Sequence, residues 1–414
     1  MEDNKMKLNK IFALVIALMI MTMSLAAYAV ETNGNGTLND NNGIESGDNT
    51  IGIAKQIVFI NDENTDVREP NITYTYTIAS ADPTNAAITE SGTVLPVSAG
   101  PIGAVNAQTA IVSFADTYKA AASSTGTGVT KHANFSFNPT TFGAPGIYRY
   151  QITESTSPAK AAVGITEAAT YEDTRFLDVY VKWSDDEHNT LAIYGYVLFE
   201  GNEDDNIDTN DVSAKSQGYV NTATTGQADV DVYTTENLYI NKVTTGTLAD
   251  KNHDFPIAVT LTAPTGVNNV KLDVTKTGGT LNTQNDAVGD HVATWGAVAG
   301  TVRNGSQIAI KGVPAGATVS VVETNDTADS YKVKAGTAAG KDNLLTEAIV
   351  LAGNDAGATT AVTLNANSEI HFTNTLDAIS PTGVVMRFAP YALMLAAGLL
   401  IVILGKRRKN KDED

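Results

Sequence analysis

From Ile51 onward, short runs rich in Val, Ile, Thr, Tyr and Phe alternate with clusters of Gly, Pro, Asn and Asp, the pattern of strands separated by turns. The clearest runs are Ile72–Ile78, Thr109–Phe114, Ile147–Ile152, Phe176–Val181, Leu191–Phe199, Phe255–Leu261, Gln307–Ile310, Thr318–Val322 and Ala361–Leu364. Phe114–Ala122 reads as a candidate short helix, and no longer stretch keeps a helical period. The class is therefore all-β, and sandwiches with immunoglobulin-like packing account best for so many short strands. The pattern starts afresh near Thr234–Glu236, where Leu238-Tyr239-Ile240-Asn241-Lys242 opens a second half much as Ile51–Ile57 opens the first. This predicts two domains, 50–235 and 236–378.

The two ends depart from that pattern. Lys5, Lys7 and Lys10, an apolar segment from Ile11 to Met23, and Ala27-Tyr28-Ala29 fit a secretory signal peptide over residues 1–29. Residues 30–49 are Asn-, Gly- and Asp-rich and read as a flexible leader. At the other end Phe388–Leu404 is apolar and uninterrupted, long enough to just span a bilayer as a helix, with Lys406-Arg407-Arg408-Lys409 behind it. The body of the protein is expected outside the cell. Pro381-Thr382-Gly383 directly before that anchor resembles the sorting signal of Gram-positive surface proteins, which a sortase cleaves between Thr and Gly. The resemblance makes 379–414 a sorting signal, with Thr382 and Gly383 flanking the cut.

Charge and cysteine content narrow the function. Taking residues 1–29 (+1) and 384–414 (+3) away from a net charge of −19 leaves about −23 on the mature chain, which argues against nucleic acid or an anionic membrane surface as partner. There is no cysteine, so neither disulfides nor thiolate chemistry is available and any covalent staple needs other groups. The five histidines are scattered singly, and no metal or cofactor site is suggested. Asp204, Asp205, Asp208 and Asp211 form an acidic loop without the glycine and spacing of a calcium loop. No nucleophile elbow or Ser/His/Asp arrangement points to a turnover enzyme.

Strand parity supplies the candidate chemistry. Residues two apart share a face, so Lys55 stands within the apolar row Ile51, Ile53, Ile57, Phe59, and Lys242 follows Leu238 and Ile240. Burial lowers a lysine's pKa toward the neutral, nucleophilic amine. Glu154 ends the row Tyr148, Tyr150, Ile152, and Glu323 ends Ala317, Val319, Val321. A carboxyl at such a place is expected to be held protonated. Asn221 follows Tyr219, and Asn374 follows Ile370 and Phe372. The order Lys, Glu, Asn thus occurs twice: Lys55, Glu154, Asn221, then Lys242, Glu323, Asn374. It points to an intramolecular isopeptide bond, the lysine amine attacking the asparagine carboxamide while the glutamate polarises its carbonyl and assists departure of ammonia. Asn237 is a competing first-domain acyl partner.

At these residues the chain resembles the backbone (major) pilins of Gram-positive bacteria, of the streptococcal two-domain type. The resemblance is carried by Tyr239–Gly246 with Asp254–Ile257, by Tyr148–Glu154, by Leu177–Val181 and by His371–Thr375. It implies tandem immunoglobulin-like (CnaB-type) domains and a structural, non-enzymatic role as the shaft subunit of a covalent cell-surface pilus. A pilin-class sortase would join the Thr382 carbonyl to a lysine of the next copy, with Lys215, shortly before Asn221, as the matching acceptor. Tip or base pilins and cell-wall peptidoglycan are the further partners implied. The alternative is a wall-anchored adhesin that binds a host or matrix protein and does not polymerise.

Overall fold

A computed structural model of the chain describes residues 49–81, 87–88, 94–167, 171–200, 215–216, 218–219, 231–268, 270–285, 291–324, 331–339, 349–350, 357–358, 362–378 and 391–403. Apart from residues 391–403 and three short 3-10 turns, the regular structure among them is strand. The protein is all-β.

The opening strand, Thr50–Ile60, lies antiparallel to Thr127–Ser136 and parallel to Gly218–Tyr219 and to the start of Asp231–Thr245. A second sheet runs in the order Lys215–Ser216, Leu191–Glu200, Thr174–Trp183, Gly146–Ser157, Ile72–Ser80, Thr109–Phe114. Inward residues of both sheets, among them Ile53, Phe59, Tyr74, Ile152 and Leu177, form one buried core. Further along, Gln307–Pro314, Asp231–Thr245, Ser368–Thr375 and Lys332–Ala339 are neighbours in one sheet, opposed by a sheet centred on Gly296–Val302, Phe255–Thr262 and Thr318–Glu323. Leu238, Ile240, Val259, Val319 and Phe372 lie in the separate core between them. Each fully buried aliphatic side chain in these cores is worth about 2 kcal/mol of transfer free energy. The alternation in Phe255–Thr262, buried then exposed throughout, shows how period-two patterning commits one face to the core.

The strand Asp231–Thr245 belongs to both halves. Its first four residues pair in parallel with Ile57–Ile60, and the remainder pairs with Gln307–Pro314 on one side and Ser368–Thr375 on the other. The restart near Thr234–Glu236 therefore falls inside a continuous strand, where the partners change. Polar contacts brace this junction: Asn61 Nδ2 donates to the Thr235 carbonyl at 3.1 Å, and Arg68 meets Asp273 at 2.6 Å. Lys271 meets Asp116 at 3.0 Å.

One local expectation is corrected and one strand is added. Phe114–Ala122 is not helical: Phe114 ends a strand, a turn follows, and Lys119–Ala121 pairs with Asp66–Arg68. Lys119 to Ala122 alternate exposed and buried, which suits a strand. Thr127–Ser136, which the sequence did not suggest, is an edge partner of the opening strand, and among its inward residues only Ala133 and Phe135 are fully buried. Of the expected anchor, residues 391–403 are helical with every residue exposed. Among the described residues no helix is long and apolar enough to cross a membrane. Residues 1–48, Thr382, Gly383, Asn221 and the acidic loop at 204–211 lie outside the described residues.

Candidate isopeptide sites

In the second domain parity delivers all three predicted side chains to one point. Lys242 comes from the shared strand, Asn374 from its parallel neighbour and Glu323 from the end of Thr318–Glu323 in the opposing sheet. All three are buried. Lys242 Nζ donates to Glu323 Oε2 at 2.5 Å, and Asn374 Nδ2 donates to Oε1 of the same carboxyl at 2.6 Å. The ammonium lies 3.8 Å from the Phe255 ring centroid. Burial lowers the Lys242 pKa to about 8, against the pull of Glu323.

One carboxylate thus spans the prospective nucleophile and the prospective leaving group. It can take a proton from the Lys242 ammonium and deliver it to the amide nitrogen of Asn374 as Nζ attacks the carboxamide carbon, releasing ammonia. The expectation had the glutamate on the carbonyl oxygen. Glu323 addresses the nitrogen, and Asn374 Oδ1 is buried with no hydrogen-bond partner among the described residues. An orphaned buried oxygen costs about 1–3 kcal/mol.

The first domain is built on the same plan with more charges. Lys55 is fully buried within 4.3 Å of the Tyr74 ring centroid, 4.8 Å of Tyr171 and 5.5 Å of Tyr219. Its Nζ lies 3.4 Å from Glu154 Oε2 and donates to Tyr171 Oη at 2.7 Å, and that hydroxyl donates in turn to Glu154 Oε1. The nearest carboxylate to Lys55 is one the sequence reading passed over: Asp231 Oδ2 at 2.8 Å, fully buried. Tyr74 Oη donates to the same Oδ2 at 2.5 Å.

A second cation completes this cluster. Lys160, carried by the 3-10 turn Lys160–Val163, lies 3.0 Å from Glu154 Oε1, 3.1 Å from Asp231 Oδ1 and 2.7 Å from Glu167. Burial lowers the Lys55 pKa despite both acids. Burial also disfavours the Lys160 ammonium, yet Glu154 and Asp231 outweigh it and raise its pKa. For Glu154 the push of burial toward the neutral acid is overcome by Lys55, Lys160 and the Tyr171 and Tyr76 hydroxyls, so its pKa is lowered. The expected protonated glutamate is thus a carboxylate in the first domain.

Asn221 lies outside the described residues. Asn237 is not near Lys55. It is buried at the domain junction, donating to Glu63 at 2.9 Å and accepting from the Gly312 N–H at 3.2 Å. Lys215 starts the two-residue strand at one edge of the second sheet of the first domain, opposite Phe199. Asp231 is an acid where the sequence pattern pointed to an asparagine as acyl partner, and Lys160 stands on a 3-10 turn outside any strand row. The usable signal was a charged residue heading the inward row Asp231, Tyr233, Thr235.

Residues 236–376, which contain the whole second site, match the family described as a domain of unknown function (DUF7601). Over 277 residues the chain is 25% identical to a protein named pilin from Streptococcus pyogenes serotype M1, covering 66% of this chain and 69% of that one. The resemblance to streptococcal major pilins holds. The crystal structure of the major pilin from Streptococcus pyogenes is 20% identical and covers 81% of this chain and 100% of that one, at a TM-score of 0.42. The pilus-presented adhesin Cpa is 12% identical, covering 80% of this chain and 100% of that one at a TM-score of 0.26.

Proposed function

We propose that the protein is the shaft subunit of a covalently polymerised surface pilus, its domains stapled by internal amides and its copies joined end to end by a sortase. The observation that carries this reading is the buried Lys242, Glu323, Asn374 arrangement. A lysine, a carboxylate and a carboxamide are sealed together in an apolar core, where the useful outcome is one irreversible condensation and not turnover. The bond would tie Lys242 near the start of the second domain to Asn374 near its end. Tension applied to the closing strand then passes through an amide into the shared strand, and the gain is resistance to force and protease. The role is structural, in keeping with a relative named pilin.

Polymerisation supplies the second half of the proposal. Thr382 of one copy would be joined to Lys215 of the next, which stands on a strand at one edge of its sheet. The test is the intact mass of residues 30–383 beside Glu323→Ala, together with coexpression of a pilin-class sortase. Loss of ammonia from the second domain, abolished in Glu323→Ala, and a high-mass ladder that survives boiling in detergent are the expected results. Full calculated mass would remove the isopeptide reading. Internal bonds without a ladder would leave a non-polymerising, wall-anchored adhesin.

A further inference from the structure

We propose that Lys55 closes the first domain by condensing with the carboxyl group of Asp231, releasing water, and that Lys160 is the group that makes an acid serviceable there as the acyl partner. The inference deepens the crosslinking reading above and rests on it.

Register places Asp231. Lys242 is opposite Phe372, and Asn374 follows two positions on, opposite Thr244. Lys55 is opposite Tyr219, and Asp231 is opposite Ile57, again two positions on from the lysine. Both pairings are parallel, so both acyl side chains reach the lysine from the same direction along the strand. The position that Asn374 fills in one domain is filled by an aspartate in the other, 2.8 Å from the lysine nitrogen.

Charge explains the additional lysine. A Lys/Glu/Asn site holds one cation and one anion around a neutral amide, and among the described residues Glu323 has its ion pair with Lys242. Replacing the amide by an acid adds a buried negative charge, which is costly unless compensated. Lys160 compensates it, with its ammonium shared between Asp231 Oδ1 and Glu154 Oε1. Among the buried groups two cations then face two anions before the reaction, with the half-exposed Glu167 on the outer side of Lys160. Afterwards Lys55 and Asp231 are a neutral amide, and Lys160 and Glu154 remain as a matched pair.

The step balances within the site. The Lys55 ammonium gives one proton to the Asp231 carboxyl 2.8 Å away, leaving a neutral amine and a neutral acid. Nζ attacks Cγ, the oxyanion that forms at Oδ1 is met by Lys160, and Oδ2, held by the Tyr74 hydroxyl, is the oxygen that departs. A second proton from nitrogen passes to the departing oxygen, the carbon–oxygen bond breaks and water leaves. A pocket walled by Tyr74, Tyr76, Tyr171 and Tyr219 keeps bulk water from reversing the reaction.

The deciding experiment is peptide mapping by mass spectrometry of the purified chain, residues 30–383. The expected result is a branched peptide joining Lys55 to Asp231 with the mass of the two strands less one water, beside one joining Lys242 to Asn374 less one ammonia. The second link is the internal control: its absence sinks the crosslinking reading as a whole. If it is present while Lys55 is free, or is joined to Asn221 with loss of ammonia, the present inference alone is overturned. The role of Lys160 is read from the rate at which the first link forms after cell-free synthesis. Lys160→Met should slow it roughly a hundredfold, the usual effect of removing an oxyanion partner, and Lys160→Arg should restore much of it. Unchanged kinetics in Lys160→Met would remove Lys160 from the mechanism.

Discussion

Asp231 and Asn374 occupy the same place in their two domains, each two register positions beyond its lysine on a parallel neighbouring strand. Because condensation of lysine with either side chain yields the same kind of amide, Asp231→Asn should end as the same crosslinked molecule as the parent. The two mature proteins should have identical masses and melting temperatures, the variant having lost ammonia where the parent lost water. The reciprocal change is not equivalent. Asn374→Asp places a second carboxylate beside Glu323, whose described ion pair is with Lys242, and an uncompensated buried charge costs roughly 3–5 kcal/mol. Asn374→Asp should therefore remain largely uncrosslinked and melt earlier. Equal crosslinking in the two variants, measured by intact mass, would refute the charge argument.

An uncrosslinked second domain should show an unusual pH dependence. Asn374→Ala keeps Lys242 beside Glu323 but removes the acyl group. Burial holds Lys242 at about 8, below its ordinary 10.5. Between those values the unfolded chain binds a proton that the folded chain has released, so raising the pH through this window stabilises the fold, by up to ~3 kcal/mol. Below pH 8 the penalty for the buried ammonium is fully present. Urea midpoints taken from pH 7 to 10 should rise in Asn374→Ala relative to a Lys242→Met, Asn374→Ala double variant. A flat difference between the two would show that Lys242 titrates normally.

The same parity rule made the second site legible in the sequence and hid part of the first. Lys242, Glu323 and Asn374 each end or follow an inward apolar row, and period two alone puts them in one core. Lys55 and Glu154 were found in the same way. Asp231 was not, because its pairing with the opening strand begins twelve residues after that of Tyr219, and nothing in a linear pattern says that pairing resumes there. Lys160 sits on a 3-10 turn, where period two has no meaning. Thr127–Ser136 escaped because an edge strand with two fully buried apolar residues carries too little hydrophobic signal. The run of alanines after Tyr118 read as helix because alanine favours it, yet pairing with Asp66–Arg68 overrides that preference.

Gly218 is a position where the first site depends on the lack of a side chain. Its φ of +135° is one that other residues rarely adopt, and a Cβ there would come within 2.2 Å of the Ala54 carbonyl oxygen. The contact is with backbone, so it cannot be relieved by a rotamer change. Gly218→Ala should push Gly218–Tyr219 away from the opening strand beside Lys55, destabilise the first domain by roughly 3 kcal/mol or more, and lower the extent of its crosslink. Gly143→Ala is the control, since a Cβ there meets nothing within 4 Å. Thermal melts in which the two variants behave alike would show that this close approach does not matter.

Polymerisation and internal stapling should separate cleanly at Lys215. Lys215–Ser216 is a two-residue edge strand bonded to Leu191–Glu200, far in the sheet order from the strands that carry Glu154 and Tyr76. Lys215→Arg keeps the positive charge but removes the primary amine that a sortase-bound acyl group requires. In cells carrying the matching sortase, this variant should lose the detergent-resistant ladder while its monomer retains both internal bonds by mass. Thr382→Ala should give the same outcome from the donor side. If the ladder persists in Lys215→Arg but disappears in Thr382→Ala, polymerisation stands and the acceptor is another lysine. Loss of the internal bonds together with the ladder would instead mean that the edge strand is needed for folding of the first domain.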